Sequence, residues 1–248
     1  MRVALRVLHP ADSSSAEEIL QSLRPAEVPA DRPHVLANFI ATVDGSVTID
    51  GDSGSINRHA PGDKAVFDAL REQADAVLAG TGTISHEGYG RLIPDAAARA
   101  RRVAAGLAPD PLAVVLSRSG NVPVDVPMLS DDAQPRRIFT GDEADPASAL
   151  AALRRDDGIE VLLCEGGPTL LGSLVRAGLV DELFLTIAPV LAGGSPERTL
   201  LGGDSDAVRR LELRTVLELG GALHARYAIL GRADLPSTTP TPGAHQPQ

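Results

Sequence analysis

Aromatic residues are nearly missing from this 248-residue chain, which has two Tyr, four Phe and no Trp. Its core must therefore be built from Leu, Val, Ile and Ala, and the stacking platforms that single-stranded nucleic acids need are excluded. Cysteine is scarcer still. The one cysteine, Cys164, rules out an intrachain disulfide framework and a cysteine-rich zinc site. It ends an apolar run and reads as a buried, inert thiol. His9, His34, His59, His86, His224 and His245 show no i,i+4 pair and no neighbouring Cys, so no metal site is expected. No Gly-x-Ser-x-Gly elbow is present, which argues against a serine hydrolase. No apolar run reaches membrane-spanning length, and Met1 to Pro10 is too short and too interrupted by arginine for a secretory signal. A cytoplasmic protein with no membrane partner is expected.

Positive charge is also in deficit, at 23 Lys and Arg against 33 Asp and Glu, a formal charge of −10. That balance argues against a nucleic-acid backbone as partner. An anionic small ligand stays open, because a local arginine cluster overrides the global field. The length suffices for a full core in one α/β domain.

What is present is an alternation of strand and helix patterns. Val3–Leu8 reads as a short strand, and Ser13–Leu23 as a helix with Ser14 or Ser15 as N-cap and Glu17 and Glu18 in its first turn. After a proline-interrupted connection, strands are expected at His34–Val43, Ala76–Ala79, Leu112–Leu116, Arg137–Thr140 and Ile159–Leu163. Helices are expected at Pro61–Gln73, Pro94–Ala105, Pro146–Arg154 and from Pro168. The order implies a mostly parallel sheet with helices on both faces. Glu182–Val190, Leu211–Leu219 and Ala222–Leu230 read as an antiparallel edge, with Gly220-Gly221 as a hairpin turn. The expected organisation is an N-terminal extension over 1–32 packing on the domain, a main domain over 33–232 and a disordered tail over 233–248 rich in Pro and Thr.

Four loops follow parallel strands at their carboxyl ends, where ligands bind in open α/β sheets. The most informative is Cys164-Glu165-Gly166-Gly167-Pro168-Thr169-Leu170, in which a buried strand enters a glycine turn and Pro168 opens a helix. Glycines let the backbone approach a ligand, and the unpaired N–H groups of the first helical turn suit a phosphate. Glu165 adds a carboxylate at the mouth. Gly80-Thr81-Gly82-Thr83 offers further backbone donors and the Thr83 hydroxyl, although Ser85 stands where a dinucleotide fingerprint has its third glycine. Ser117, Arg118 and Ser119 form either a solvated turn or a site for a ribose 2′-phosphate. Asp44, before Gly45, is either a turn residue or a partly shielded carboxyl of raised pKa that passes a proton. Arg71 either complements its helix dipole or holds a substrate phosphate in its planar fork.

These pieces in this order resemble the reductase domain of riboflavin biosynthesis. That is the pyrimidine reductase half of the bacterial bifunctional deaminase-reductase, whose fold is like that of dihydrofolate reductase. The matching segments are Ala41-Thr42-Val43-Asp44-Gly45, Leu70-Arg71 before Ala74-Asp75-Ala76-Val77-Leu78, and Gly80-Thr81-Gly82-Thr83. They continue with Glu165 to Leu170, Leu179-Val180-Asp181-Glu182, Ala188-Pro189-Val190 and Gly193-Gly194, and the match spans roughly His34 to Arg232. The resemblance implies NADPH-dependent reduction of the ribosyl group of a phosphoribosylaminopyrimidine to ribityl, by a homodimer. It places Ala41, Gly80, Thr83, Gly166, Gly167, Pro168, Thr169 and Leu170 at NADPH, with Ser117 and Arg118 near its adenosine ribose. Ser53, Asn57, Arg71 and Glu165 would face the substrate, and Asp44 or Glu165 would deliver the proton. The sequence departs from the family at Ser55, where an aromatic residue is usual, and at Glu87, where Asp is usual. It has neither the His-x-Glu nor the Pro-Cys-x-x-Cys of the zinc deaminase domain, and Tyr89-Gly90-Arg91 looks like the loop of stand-alone reductases. A pteridine substrate such as dihydrofolate also suits this fold. A regulatory module that binds NADPH without catalysis is the alternative of another class.

Overall fold

The computed structural model describes residues 5–9, 15–49, 54–193, 200–201 and 208–232. Ser53, Gly194 and the tail over 233–248 lie outside these described residues. The elements in chain order are β1 (Arg6–His9), α1 (Ala16–Gln21), β2 (His34–Thr42), α2 (Gly54–Asn57), α3 (Asp63–Gln73) and β3 (Ala76–Gly80). Then come α4 (Thr81–Glu87), α5 (Ala96–Ala104), β4 (Leu112–Ser117), α6 (Pro127–Ser130) and β5 (Arg136–Thr140). The chain continues through α7 (Pro146–Asp156), β6 (Val161–Cys164), α8 (Pro168–Arg176), β7 (Glu182–Ala188), β8 (Arg209–Leu219) and β9 (Ala222–Arg232).

All nine strands form one sheet in the order β1-β8-β9-β7-β2-β6-β3-β4-β5. The six strands from β7 to β5 run parallel, as the alternating pattern predicts. The antiparallel part differs from expectation in two ways. The strand at 182–188 is not at an edge: it pairs parallel with β2 on one side and antiparallel with β9 on the other. The β8–β9 hairpin is not outermost either, because β1 pairs with β8, Val7 opposite Leu217. An apolar run buried between two strands needs no further cover. Leu183 and Phe184 are accordingly buried within the one chain.

The strands read as apolar runs because both faces are covered. Along β2, Val35, Ala37 and Phe39 pack on one face with Leu150, Leu153, Leu171 and Leu174 of α7 and α8. Leu36 packs on the other with Val66 and Leu70 of α3. Local signals set the helix starts. Ser15 and Glu18 form a reciprocal capping box at α1. Asp95 and Asp145 accept first-turn N–H groups at α5 and α7. The N-terminal segment is tied to the domain: Leu23 N–H donates to Gln73 at 2.8 Å, and Arg24 pairs with both oxygens of Asp75 at 3.1 and 3.2 Å.

Candidate active site

The carboxyl ends of β2, β3 and β6 converge, and the turns after β3 and β6 are joined directly. Glu165 N–H donates to Leu78 C=O at 2.9 Å, and Gly80 N–H donates to Gly166 C=O at 2.6 Å. Gly166 has φ +88°, and a Cβ there would lie 2.5 Å from the Phe39 ring. Only glycine meets both conditions. Gly167 caps α8, with Pro168 in the first turn as expected. The segment Thr81–Thr83, read as a loop, is instead the first turn of α4, which begins directly after Gly80. Two helix N-termini thus face the same region.

Glu165 is fully engaged. Arg71 donates to it through Nε at 2.6 Å and Nη2 at 2.7 Å, and the Tyr89 hydroxyl donates at 2.8 Å. The pair is shielded, with the Glu165 side chain 2 % exposed and that of Arg71 14 %. The guanidinium also stacks 4.1 Å over the Phe67 ring and lies 5.3 Å from that of Tyr89. Burial, then the Glu165 charge, hold the Tyr89 hydroxyl well above its ordinary pKa, so it remains a donor. This geometry bears on both expectations. The Nε–Nη2 edge of the Arg71 fork is held by Glu165, and Nη1 donates to Leu92 C=O at 3.3 Å. Glu165 accepts three hydrogen bonds and so positions Arg71 and Tyr89.

The Asp44 expectation is corrected as well. Its carboxylate accepts from the Thr42 hydroxyl and from Ala192 and Gly193 N–H at 3.2 and 2.7 Å. These bonds, that of Thr42 foremost, lower its pKa to about 2, the opposite of a shielded acid. Asp44 lines neither of the two cavities described next and serves as a tether for the 192–193 segment.

The first cavity, of about 490 Å³, lies over the Arg71–Glu165–Tyr89 cluster and is also lined by Asn38, Asn57 and Asp63. Asn38 Oδ1 is buried with no hydrogen-bond partner among the described residues, an acceptor without a donor. Asp63 is 8 % exposed, and burial raises its pKa. Sequence reasoning missed both. A polar residue inside the apolar run 34–42 is the signal that points to Asn38. Asp63 looks like any acidic residue in a first helical turn, and no local signal separates it.

The second cavity, of about 550 Å³, is lined by Gly80 to Thr83, by Gly167 to Leu170, and by Arg118 and Arg176. Gly82, Thr83, Gly167 and Pro168 line both cavities. A Cβ on Gly82 would meet nothing within 4 Å. Ala41 is buried on β2 and lines neither cavity. Ser117 is turned away: its hydroxyl donates to Asn121 C=O at 3.0 Å and it is buried. Of the 117–119 turn, the arginine alone reaches the cavity. No group of His, Cys, Asp and Glu fit to hold a metal occurs among the described residues, and no described helix is long and apolar enough to cross a membrane.

This sheet, with its cleft at the carboxyl ends of parallel strands, is the fold of the pyrimidine reductases. A pyrimidine reductase-like protein from Corynebacterium diphtheriae superposes with a TM-score of 0.69 over 86 % of this chain and 98 % of that one, at 23 % identity. The chain belongs to the family of the RibD C-terminal domain, whose model matches residues 33–225, and is by that membership an oxidoreductase. A 2,5-diamino-6-ribosylamino-4(3H)-pyrimidinone 5′-phosphate reductase from Methanothermobacter thermautotrophicus is 31 % identical over 81 % of this chain and 100 % of its own length. The riboflavin biosynthesis protein RibD of Mycobacterium tuberculosis is 38 % identical over 65 % of this chain and 44 % of its own.

Proposed function

We propose that this protein reduces the ribosyl group of a phosphoribosylaminopyrimidine to ribityl, with NADPH as reductant. The observation that carries this reading is the shared wall of the two cavities. A dinucleotide in the larger would bring its reactive end to Gly82, Thr83, Gly167 and Pro168, where the smaller begins. The residues present fit such a cofactor: two helix N-termini and two arginines suit its phosphates, and glycine backbones allow close approach. NADPH supplies a hydride. The protein supplies orientation and a site closed by the Arg71–Glu165–Tyr89 cluster.

The substrate side is polar in a way that suits a diaminopyrimidine. The unpartnered Asn38 Oδ1 wants an N–H donor, and aminopyrimidines carry several. The relative matched along its whole length is named for the 2,5-diamino compound, which favours that form over the deaminated uracil. Dihydrofolate has no observation in its favour. The protein works as a cytoplasmic homodimer, joined through the face of β8 on which Leu211 and Leu213 are exposed.

Steady-state NADPH oxidation with the diaminopyrimidinone, the aminouracil and dihydrofolate tests the reading, with activity expected on the first. Activity on dihydrofolate alone refutes the substrate. NADPH binding with no turnover of any of the three favours a regulatory module. Arg118→Ala is expected to weaken NADPH more than NADH, by about 1.5–3 kcal/mol for a lost charge-assisted contact. Equal loss for both places Arg118 away from the 2′-phosphate. A monomeric mass in light scattering counts against the dimer.

A further inference from the structure

A further cavity, of about 650 Å³, is lined by α1, α3 and α5 and shares no lining residue with the two described above. Three arginines line it, and two of them are neutralised. Arg24 pairs with Asp75 and Glu160 at 3.1 and 3.3 Å, and Arg101 pairs with Glu72 at 2.6 Å. Arg102 differs. It is 1 % exposed, and its hydrogen-bond partners are all backbone carbonyls. Nε donates to Ala108 at 2.9 Å, and Nη1 to Arg71, Glu72 and Ala74 at 2.9, 2.9 and 2.8 Å. Nη2, with two hydrogens to give, is buried and has no partner among the described residues.

A buried guanidinium is costly unless it meets both an acceptor and a counter-charge. Arg102 lacks both at Nη2. Burial lowers its pKa; Asp75 and Asp110 oppose that, but each is bound to another arginine, Asp75 to Arg24 and Asp110 to Arg91. We propose that this cavity binds a carboxylic acid with a short aliphatic body, its carboxylate accepting from Nη2 of Arg102. The site stands apart from the reductase reading and does not depend on it.

The lining sets the ligand class. Glu17 and Glu72 face the same cavity, so a phosphate dianion meets stronger repulsion there than a carboxylate monoanion does. Leu5, Leu20, Ala69, Ala105 and Leu107 supply an apolar wall for a run of methylenes. No aromatic side chain is among the described lining residues, which removes the stacking surface that a nucleobase would use. The volume is in the range of small-molecule sites. Nη2 is shielded from solvent, so a ligand reaches it from within the cavity that Arg102 lines. The other end of the same guanidinium holds the last carbonyls of α3, the helix that carries Arg71.

Calorimetric titration of the whole chain with hexanoate, hexanol and inorganic phosphate tests the site. Saturable binding is expected for hexanoate. Hexanol, which lacks the charge, should bind about tenfold more weakly or worse, and phosphate more weakly than hexanoate. Ala105→Trp fills the cavity from an exposed position at the end of α5, and should abolish hexanoate binding with the fold intact. Arg102→Lys keeps the charge but has no second nitrogen for the ligand, and should weaken hexanoate about tenfold or more. Absence of hexanoate binding, hexanol binding as tightly as hexanoate, or phosphate binding more tightly each overturns the proposal. Unchanged hexanoate binding in Ala105→Trp does so too. Hexanoate that competes with NADPH belongs to the cofactor cleft and likewise overturns it. Arg102 also caps α3; should Arg102→Lys fail to fold, Ala105→Trp and the comparison with hexanol decide.

Discussion

Arg71→Met tests the central ion pair. Arg71 is joined to Glu165 by two bonds of 2.6 and 2.7 Å, and the Glu165 side chain is 2 % exposed. Methionine keeps much of the stem and its contact with Phe67 but leaves the carboxylate buried with Tyr89 as its partner. Breaking one side of a buried pair costs about 3–5 kcal/mol. For a chain of this size that lowers Tm by roughly 6–20 °C. The double variant Arg71→Met with Glu165→Gln removes the stranded charge and should regain a large part of the loss. Thermal unfolding of the wild type, both single variants and the double variant supplies the full cycle. If Arg71→Met unfolds at the wild-type temperature, the guanidinium is not committed to Glu165, and the original expectation of an open phosphate clamp returns.

Three further outcomes follow from the geometry. Gly82→Val should fold normally, since its Cβ meets no protein atom within 4 Å, yet lose NADPH affinity in a calorimetric titration; unchanged affinity would move the cofactor elsewhere. Cys164 is fully buried and its thiol is pushed up to about 12 by burial, so alkylation should require unfolding, and rapid labelling of the native protein would refute that burial. Asp44 has a pKa of about 2 against an ordinary 3.8. A depressed pKa stabilises the fold above the unfolded value and loses that contribution as pH falls through the folded one. Amide exchange at Ala192 and Gly193 should therefore accelerate relative to neighbouring amides between about pH 4 and pH 2, and Asp44→Asn should be insensitive over that window.

Much of this fold was legible because local patterns decide it. The apolar run at 34–42, the glycine turn at 165–167 and the caps at Ser15 and Asp95 each carry their own signal. The errors lie where a distant partner decides. The strand 182–188 looked like part of an antiparallel edge because it precedes a hairpin, but its partner on one side is β2, and no pattern within the strand announces that register. The site divides in the same way. Gly82, Thr83, Gly167, Arg118 and Arg71, which stand out in sequence by their places in strand-end turns or at a helix end, line the two cavities. The Arg71–Glu165 bond, which changes what both residues can do, joins segments far apart in sequence. Asp63 sits in the first turn of α3, where its residue type alone says nothing of its burial.

The bond from Gly80 N–H to Gly166 C=O constrains more than geometry. The turns after β3 and β6 move as a unit, so a ligand entering between α4 and α8 meets a fixed floor. Adaptation to its shape falls to the Gly88–Gly90 segment and to the one tethered by Asp44. The same bond limits how the family can vary. A side chain at Gly166 collides with Phe39, and a Cβ at Gly167 would lie 2.9 Å from the Thr83 hydroxyl. A replacement in one turn therefore requires a compensating change in a neighbouring strand or helix. Room for change lies at the rim, where a Cβ on Gly88 or Gly90 would meet nothing within 4 Å, while the floor has none to spare.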